Sequence, residues 1–516
     1  MWLPITLAVL VFLALAFRGL GLLAWTASAA VILIGWRLTG VAMPLAFMTT
    51  AGALIALAAV FGIPLIRRHL VSRFIMPIFA KVLPRLGDTE RVALEAGTVW
   101  WDADLFSGMP EWQKLLDFKP QPLSAEEQAF LDGPVNDFCR AIDDWEVYQQ
   151  RDLSPEVWAL IRKHRLFGMI IPRQYGGLGF SAIAQSRIIT RISSRSITAA
   201  VTVMVPNSLG PGELLLHYGS EAQKLRYLKR LADGEEIPCF ALTGPEAGSD
   251  AAATQSEGIV EKRVIDGKEV LGLRCNWKKR YITLAPVATL IGLAFRIKDP
   301  HKLIGDEEDR GITCALIPRN TPGVEIGLRH DPMGVPFHNG PIVGHDVWIP
   351  MEAVIGEMDG IGKGWRMLME SLAAGRSISL PALSVGAAQM ATRICGAYAT
   401  VREQFDTPIG RFEGIEEPLA RIAGMTYLMT ATRTLTCAAL DAGEKPAVIG
   451  SIAKAYLTDS MRQVVSDAMD IRAGSAIQRG PRNSLSRAWD AVPIGITVEG
   501  ANILTRSMII YGQGAI

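Results

Sequence analysis

Apolar side chains fill the first 66 positions almost without interruption, and only Arg18 and Arg37 carry charge there. The uncharged run 41–66 has 26 residues, about 39 Å as a helix, which exceeds the roughly 30 Å of a bilayer's hydrocarbon core. The preceding runs, 2–17 and 19–36, have 16 and 18 residues and are each marginal for a span. Arg18-Gly19-Leu20-Gly21 between them suits either a tight hairpin or one long tilted segment. A cleaved secretory signal is disfavoured, because no basic stretch precedes the apolar run and further apolar segments follow it.

After residue 86 the pattern changes. Residues 87–122 form a polar, aromatic connector that contains Trp100, Trp101 and Trp112 and ends at Pro120-Gln-Pro122. Tryptophans this close to an apolar segment suit either a bilayer interface or packing on the following domain. From Leu123 the periodicity is helical, and Ser124 followed by Glu126 and Glu127 marks a helix N-cap. Helical patterning, broken at Tyr175-Gly-Gly-Leu-Gly179, fills a domain over 123–236. Residues 237–360 instead carry short apolar runs (259–260, 270–273, 289–295, 313–317, 324–326, 347–349) separated by Gly, Pro, Asp and Asn, the spacing of a small β barrel or sandwich. Long helical patterns return over 365–398, 415–442 and 447–471, within a last domain over 361–516. The expected class is α+β, ordered as membrane-anchoring helices over 1–86, connector, α, β, α.

Charge sharpens this division. The chain holds 52 basic and 51 acidic residues, a net +1 that argues against a nucleic-acid binder. Its 49% hydrophobic and 20% charged content excludes disorder. Residues 1–86 hold seven basic residues (Arg18, Arg37, Arg67, Arg68, Arg73, Lys81, Arg85) and no acid, leaving −6 on the remainder. The last five follow the final apolar run, so the positive-inside rule places the large C-terminal part in the cytoplasm. Six dispersed cysteines without a CxxC pair are the reduced thiols expected there. The seven histidines show no metal-ligand spacing, and no metal site is expected.

Several motifs then fall in a recognisable order. Cys239-Phe-Ala-Leu-Thr-Gly-Pro-Glu-Ala-Gly-Ser-Asp250 supplies hydroxyls, small residues and free backbone N–H groups suited to an electron-rich ring and a thioester. It is followed by Tyr281-Ile282-Thr283, Asp346-Val-Trp-Ile-Pro350 with Gly356, Arg402-Glu-Gln-Phe405 with Pro408-Ile409, and Val498-Glu499-Gly500. This series resembles the acyl-CoA dehydrogenases over roughly 120–516, and with the apolar N-terminus it is most similar to their membrane-associated bacterial FadE-type branch. The resemblance implies a helical N-terminal domain, a middle β barrel, a C-terminal helical bundle and FAD as cofactor. The substrate it implies is a medium- or long-chain fatty acyl-CoA, oxidised to the trans-2-enoyl-CoA in the first oxidative step of β-oxidation. Electrons pass to an electron-transferring flavoprotein, and the localisation is the bacterial inner membrane.

By resemblance, Leu242, Thr243, Tyr281 and Thr283 contact the flavin ring and Ser249 the acyl-CoA. Gly244 and Glu246 stand where the family has Glu and Gly, and Tyr281 where it commonly has Trp; the tyrosine keeps a flat aromatic face. Arg402, read as part of a helix, reaches the FAD pyrophosphate of a neighbouring subunit with Gln404 and Phe405 beside it. Asp470 and Gly474 occupy the family's QxxGG segment, in which Ala473 replaces one glycine, and Asn502 is likewise assigned to FAD. A cofactor shared between subunits implies a homodimer or homotetramer.

Glu499 is the implied catalytic base. It lies in Ile494-Gly-Ile-Thr-Val-Glu-Gly-Ala-Asn502, a carboxylate among apolar and small residues, where burial raises its basicity toward a carbon acid. The N–H of Gly500 next to it is implied to hold the thioester carbonyl. Some members carry the base near Gly375-Arg376; that segment has no carboxylate here, and Arg376 is assigned to the CoA end of the substrate. Two alternatives stand beside the dehydrogenase: an oxidase of the same fold that reacts with oxygen, and a catalytically silent membrane scaffold. The helix starting near Asn502 is still running at Ile516, and this branch usually continues for several hundred residues, so a shortened form of a longer protein is expected.

Overall fold

The computed structural model of the 516-residue chain describes residues 2–38, 40, 43–82, 87, 91–92, 95, 97–98, 100–208, 210–445 and 447–512. Arg85 and positions 41–42, which entered the sequence reading, lie outside them. The chain divides into two compact units, Met1–Gly87 and Asp88–Ile516.

In the first unit, α1 (Trp2–Phe17) and α2 (Gly21–Leu38) form the tight hairpin rather than one long segment. Gly19 turns the chain with φ 75°. Small residues let the two helices touch: a Cβ on Gly35 would sit 2.3 Å from Pro4 Cβ, and the Ser28 hydroxyl donates to Ala8 O at 2.9 Å. The apolar run 41–66 does not make one helix. It gives α3 (Pro44–Gly62), about 28 Å long, and then breaks at extended Ile63, because Pro64 lacks an N–H and forces its predecessor out of the helical region. Helical backbone resumes through α4 (Pro64–Arg67) and a π turn into α5 (Arg73–Val82), which exposes Phe74, Met76, Ile78 and Phe79 among Arg67, Arg68, Arg73 and Lys81. Helices α2 and α3 are long and apolar enough to cross a membrane.

In the second unit, the connector's aromatics pack on one another: Trp100 lies edge-on to Phe118 at 5.0 Å, and Trp101 lies 5.1 Å from Trp112. Ser124 caps its helix in a reciprocal box with Glu127, accepting from Glu127 N at 3.2 Å while Glu127 Oε2 accepts from Ser124 N at 2.9 Å. Short helices lead into α6 (Ala182–Ser193), α7 (Ile197–Met204), α8 (Pro211–Tyr218) and α9 (Glu221–Ala232).

The middle domain is one sheet of seven strands: β1 (Pro238–Ala241), β2 (Glu257–Ile265), β3 (Lys268–Thr283), β4 (Leu290–Lys298), β5 (Asp309–Pro318), β6 (Val324–Ile326) and β7 (Asn339–Pro350). They are ordered β1-β4-β2-β3-β7-β6, with β5 also on β4. Each apolar run of the sequence falls within one of these strands, save that the run 289–295 begins one residue before β4. The bundle that follows has α10 (Gly364–Val401), α11 (Glu413–Asp441), α12 (Ala447–Arg472) and α13 (Ser484–Thr497). All six cysteines are buried and unpaired.

Candidate active site

The first cluster of expected residues forms where β1 ends. The backbone leaves the sheet at Leu242-Thr243 and is tied to β3: Lys279 Nζ donates to Leu242 O at 2.8 Å, and Arg280 N donates to Thr243 O at 3.0 Å. Lys279 was not anticipated. It is 2% exposed, also donates to Thr254 Oγ1 at 3.1 Å, and burial pulls its pKa down to about 8. The signal for it was strand alternation, because Leu273, Cys275, Trp277 and Lys279 share the inward face of β3.

The register of β3 on β7 slips between Lys279 and Ile282, and Tyr281 sits in that bulge with φ 61°. A bulge re-aims its side chain, and the Tyr281 ring stands out from the sheet, 60% exposed, 5.3 Å from the His330 ring and 5.1 Å from the Arg280 guanidinium. Thr283 follows, its Oγ1 accepting from Asn339 Nδ2 at 3.3 Å. Ser249 lies exposed on the 243–250 loop, which Gly244 N closes onto Ala247 O at 3.0 Å and Arg280 Nη2 holds through Pro245 O at 3.0 Å.

The second cluster is at the end of α13. The helix stops at Thr497, Val498 is extended, and Glu499 and Gly500 both take positive φ (55° and 88°). For Glu499 that conformation is costly, and the surrounding bonds hold it. Lys454, 0% exposed, donates to Gly500 O at 2.7 Å, Asn502 Oδ1 at 2.8 Å and Ile496 O at 3.2 Å, so one cation grips the chain on both sides of the carboxylate. Thr505 Oγ1 adds a bond to Gly500 O at 3.2 Å. Among the described residues the Gly500 N–H has no backbone acceptor.

Glu499 as a residue is half-buried, but its Oε2 is sealed from solvent with no hydrogen-bond partner among the described residues. Burial raises the carboxyl to about 7, and the nearby Arg376 and Lys454 charges keep it from rising further. Arg376 is packed beside the base: its Nη1 lies 3.3 Å from Ser451 Oγ, its Nη2 is 3.5 Å from where a Cβ on Gly500 would be, and burial lowers its pKa.

Asn502, assigned to FAD by resemblance, instead has its side chain engaged inside the protein. It is buried, with Oδ1 taken by Lys454 and Nδ2 donating to Ala455 O at 3.0 Å and Thr458 Oγ1 at 2.9 Å. Its part is to hold the base-bearing segment. Lys454 was missed although Ser451, Lys454 and Thr458 share the buried stripe of α12 with Leu457 and Met461.

The third cluster is exposed at the far end of the bundle. Arg402 is the cap of α10 rather than a residue within it (φ −80°, ψ 122°), and Glu403–Gln404 and Thr407–Pro408 pair as a hairpin. Phe405 and Asp406, at φ 54° and 56°, make the primed turn that such a hairpin needs. Phe405 is 91% exposed. Arg472, at the end of α12, stacks 4.5 Å over Tyr398 in the last turn of α10, which brings the exposed Asp470 and Gly474 to the same end of the bundle as the hairpin.

A sheet domain between two helical ones, with the Glu499 carboxyl buried near the Arg376 and Lys454 charges, defines a three-part α–β–α fold with a sheltered acidic site. Three family models match in order: acyl-CoA dehydrogenase N-terminal domain over residues 124–235, middle domain over 239–347 and C-terminal domain over 362–512. The chain belongs to the acyl-CoA dehydrogenase family, flavoprotein oxidoreductases that dehydrogenate the CH–CH bond of acyl-CoA.

A relative in Clostridium sporogenes named 3-(aryl)acrylate reductase is 32% identical over 64% of this chain and 82% of its own length. An acyl-CoA dehydrogenase of Bacillus subtilis is 29% identical over 74% and 97%. The butyryl-CoA dehydrogenase structure from Megasphaera elsdenii superposes with a TM-score of 0.68 at 24% identity, covering 76% of this chain and 99% of that one. The residues present fit a flavin: the exposed Tyr281 ring offers a stacking face, and the half-buried Thr243 and Thr283 carry hydroxyls on backbone tied to, or within, the same end of β3.

Proposed function

We propose that this protein is a membrane-anchored, FAD-dependent dehydrogenase of medium- or long-chain fatty acyl-CoA that forms the trans-2-enoyl-CoA in the first oxidative step of β-oxidation. The observation that carries the reading is Glu499, whose Oε2 is buried without a partner and whose carboxyl is raised to about 7, next to a Gly500 N–H that has no backbone acceptor among the described residues. Glu499 takes the α-proton of the thioester. The Gly500 N–H stabilises the charge that develops on the thioester oxygen. The flavin, when bound, supplies the acceptor for the β-hydride, so one proton and one hydride leave and a C=C bond forms. Lys454 and Arg376 limit the cost of ionising Glu499 in a dry site.

Arg402, Gln404, Phe405, Asp470 and Gly474 lie exposed together and are read as completing the FAD site of a second copy in a homodimer or homotetramer. Exposed Tyr427, Leu428 and Tyr456 on the same bundle support that reading. Helices α2 and α3 anchor the chain. The basic, apolar α4–α5 segment marks the cytoplasmic face of a bacterial inner membrane, with an electron-transferring flavoprotein as acceptor. The Clostridium relative's name favours one second reading, in which the same groups run in reverse and reduce an activated C=C bond.

Anaerobic mixing of the purified flavoprotein with palmitoyl-CoA is expected to bleach the flavin and yield the 2-enoyl-CoA. Bleaching by no saturated acyl-CoA leaves the silent scaffold or, if an enoyl-CoA reoxidises the chemically reduced flavin, the reductase. Peroxide formed at the turnover rate on admitting air identifies the oxidase.

Because Glu499 must be ionised to act, the rate of flavin reduction is expected to rise through about pH 7 on a one-proton limb. A flat profile across that range overturns its assignment as base. Stability runs the other way: the folded pKa lies above the ordinary 4.5, so this group's stabilising contribution is complete below about pH 4.5 and lost as pH rises through about 7.

A further inference from the structure

A second feature of the bundle has no part in the chemistry above. Between α8, α10 and the turn joining α11 to α12 lies a cavity of about 320 Å³, at the lower end of the roughly 300–1,000 Å³ typical of small-molecule sites. Ile170, Leu216 and Ile378 supply apolar wall. Ser371 and Glu213 supply oxygen atoms that no described residue engages. Ser371 is 5% exposed, and its hydroxyl is buried without a partner. The Glu213 carboxyl accepts no hydrogen bond among the described residues, and burial raises its pKa to about 7 with Lys445 opposing.

The other carboxylates of the lining are committed to the protein, Glu444 accepting from Thr98 Oγ1 at 2.8 Å, and burial with the Lys445 charge keeps His217 toward its neutral form. Glu370 accepts from Tyr218 Oη at 2.6 Å, Arg366 Nε at 2.9 Å and Lys445 Nζ at 3.1 Å. The cavity, whose apolar wall is interrupted by Gln185, Asn207, His217, Glu444 and Lys445, therefore offers a waiting hydroxyl and a waiting carboxyl to an uncharged hydrogen-bond donor.

Its position ties it to the base. Gly375 lines the cavity, and the next residue, Arg376, packs against Gly500. Gly375 is closely packed, since a Cβ there would lie 3.0 Å from Ser208 Cβ and O, tighter than an ordinary contact. On the other wall, Ser451, which meets Arg376, lies one helical turn beyond Ala447 (Ser451 Oγ to Ala447 O, 2.8 Å), and Lys445 of the cavity rim precedes that turn.

We propose that this cavity receives the far end of the acyl group and selects acyl chains that carry a hydroxyl there, bound by Glu213 and Ser371. The inference rests on the acyl-CoA reading of Glu499 and adds a substrate class to it: hydroxylated acyl thioesters, supplied by a hydroxylating or hydrating reaction upstream.

The test compares ω-hydroxyacyl-CoA with the unsubstituted acyl-CoA of equal length, over a series of lengths, by anaerobic flavin reduction. At the length that fills the cavity, the hydroxylated member is expected to be favoured about tenfold in kcat/KM. That ratio should fall to about one in Glu213→Leu with Ser371→Ala. Glu213→Gln, which keeps the volume and offers a weaker acceptor, should give an intermediate ratio and serves if the leucine variant does not fold. Equal rates for both members at every length overturn the cavity assignment while leaving the acyl-CoA reading intact, as does a preference that survives the double substitution. No bleaching by any thioester overturns both.

Discussion

Replacing Glu499 with Gln is expected to cut the rate of flavin reduction by at least 10²–10⁴-fold, the usual worth of a positioned general base, while FAD stays bound. Glutamine keeps the volume and the hydrogen-bonding outline of the side chain and removes only the ability to take a proton. The groups read as flavin contacts, Leu242 and Thr243 just after β1 and Tyr281 and Thr283 on β3, belong to the middle domain and not to the segment after α13, so the bound flavin spectrum should be unchanged. Folding should not suffer. The raised pKa of Glu499 means that the ionised carboxylate is a net burden on the folded state even with Arg376 and Lys454 nearby. The Gln variant should therefore melt no lower than the parent above about pH 7, where that burden is present. Flavin reduction within tenfold of the parent, measured by stopped flow, would sink the assignment.

Lys454→Met should have the second-largest effect, and it separates two roles. Met approximates the length of lysine but donates nothing, so Ile496 O and Asn502 Oδ1 lose a buried donor and Gly500 O keeps only Thr505. Leaving such acceptors unmet costs about 2–4 kcal/mol, readable as a fall in the urea midpoint. Loss of the cation also removes one of the two charges that hold Glu499 down, so the acid limb of the rate should move above about pH 7. Lys454→Arg keeps the charge and should leave that limb near its original place even if the larger head group perturbs packing. A Met variant with an unmoved limb would reduce Lys454 to a structural tie.

The order of domains was legible because it rests on hydrophobic period, which local sequence displays. The strands of the sheet and the three long helices of the bundle follow the apolar runs closely, since nothing in tertiary packing competes with them. The 41–66 run misled because hydropathy counts a proline as one more uncharged residue, whereas the backbone treats Pro64 as a stop. The family motif that Arg402 matches places it in a helix; two successive left-handed residues, Phe405 and Asp406, turn the chain there into a hairpin instead. Ala473 shows a related blind spot: it stands where the family's motif has glycine and takes the positive φ that glycine readily adopts (47°). Glu499 was found by resemblance, but the cation that grips its loop lies 45 positions earlier on another helix. Only folding brings Lys454 to Gly500 O.

The six cysteines acquire a meaning from the chemistry they live beside. Thioesters acylate thiolates, and an enzyme that holds them risks losing substrate to its own side chains. Here burial raises the thiols of Cys139, Cys395 and Cys437 to about 11 and those of Cys239 and Cys314 to about 12, and pushes Cys275 in the same direction. None is both ionised and reachable near neutral pH. The folded chain is thereby chemically deaf to the bond it handles, and acyl transfer to sulfur becomes a reaction of the unfolded protein alone.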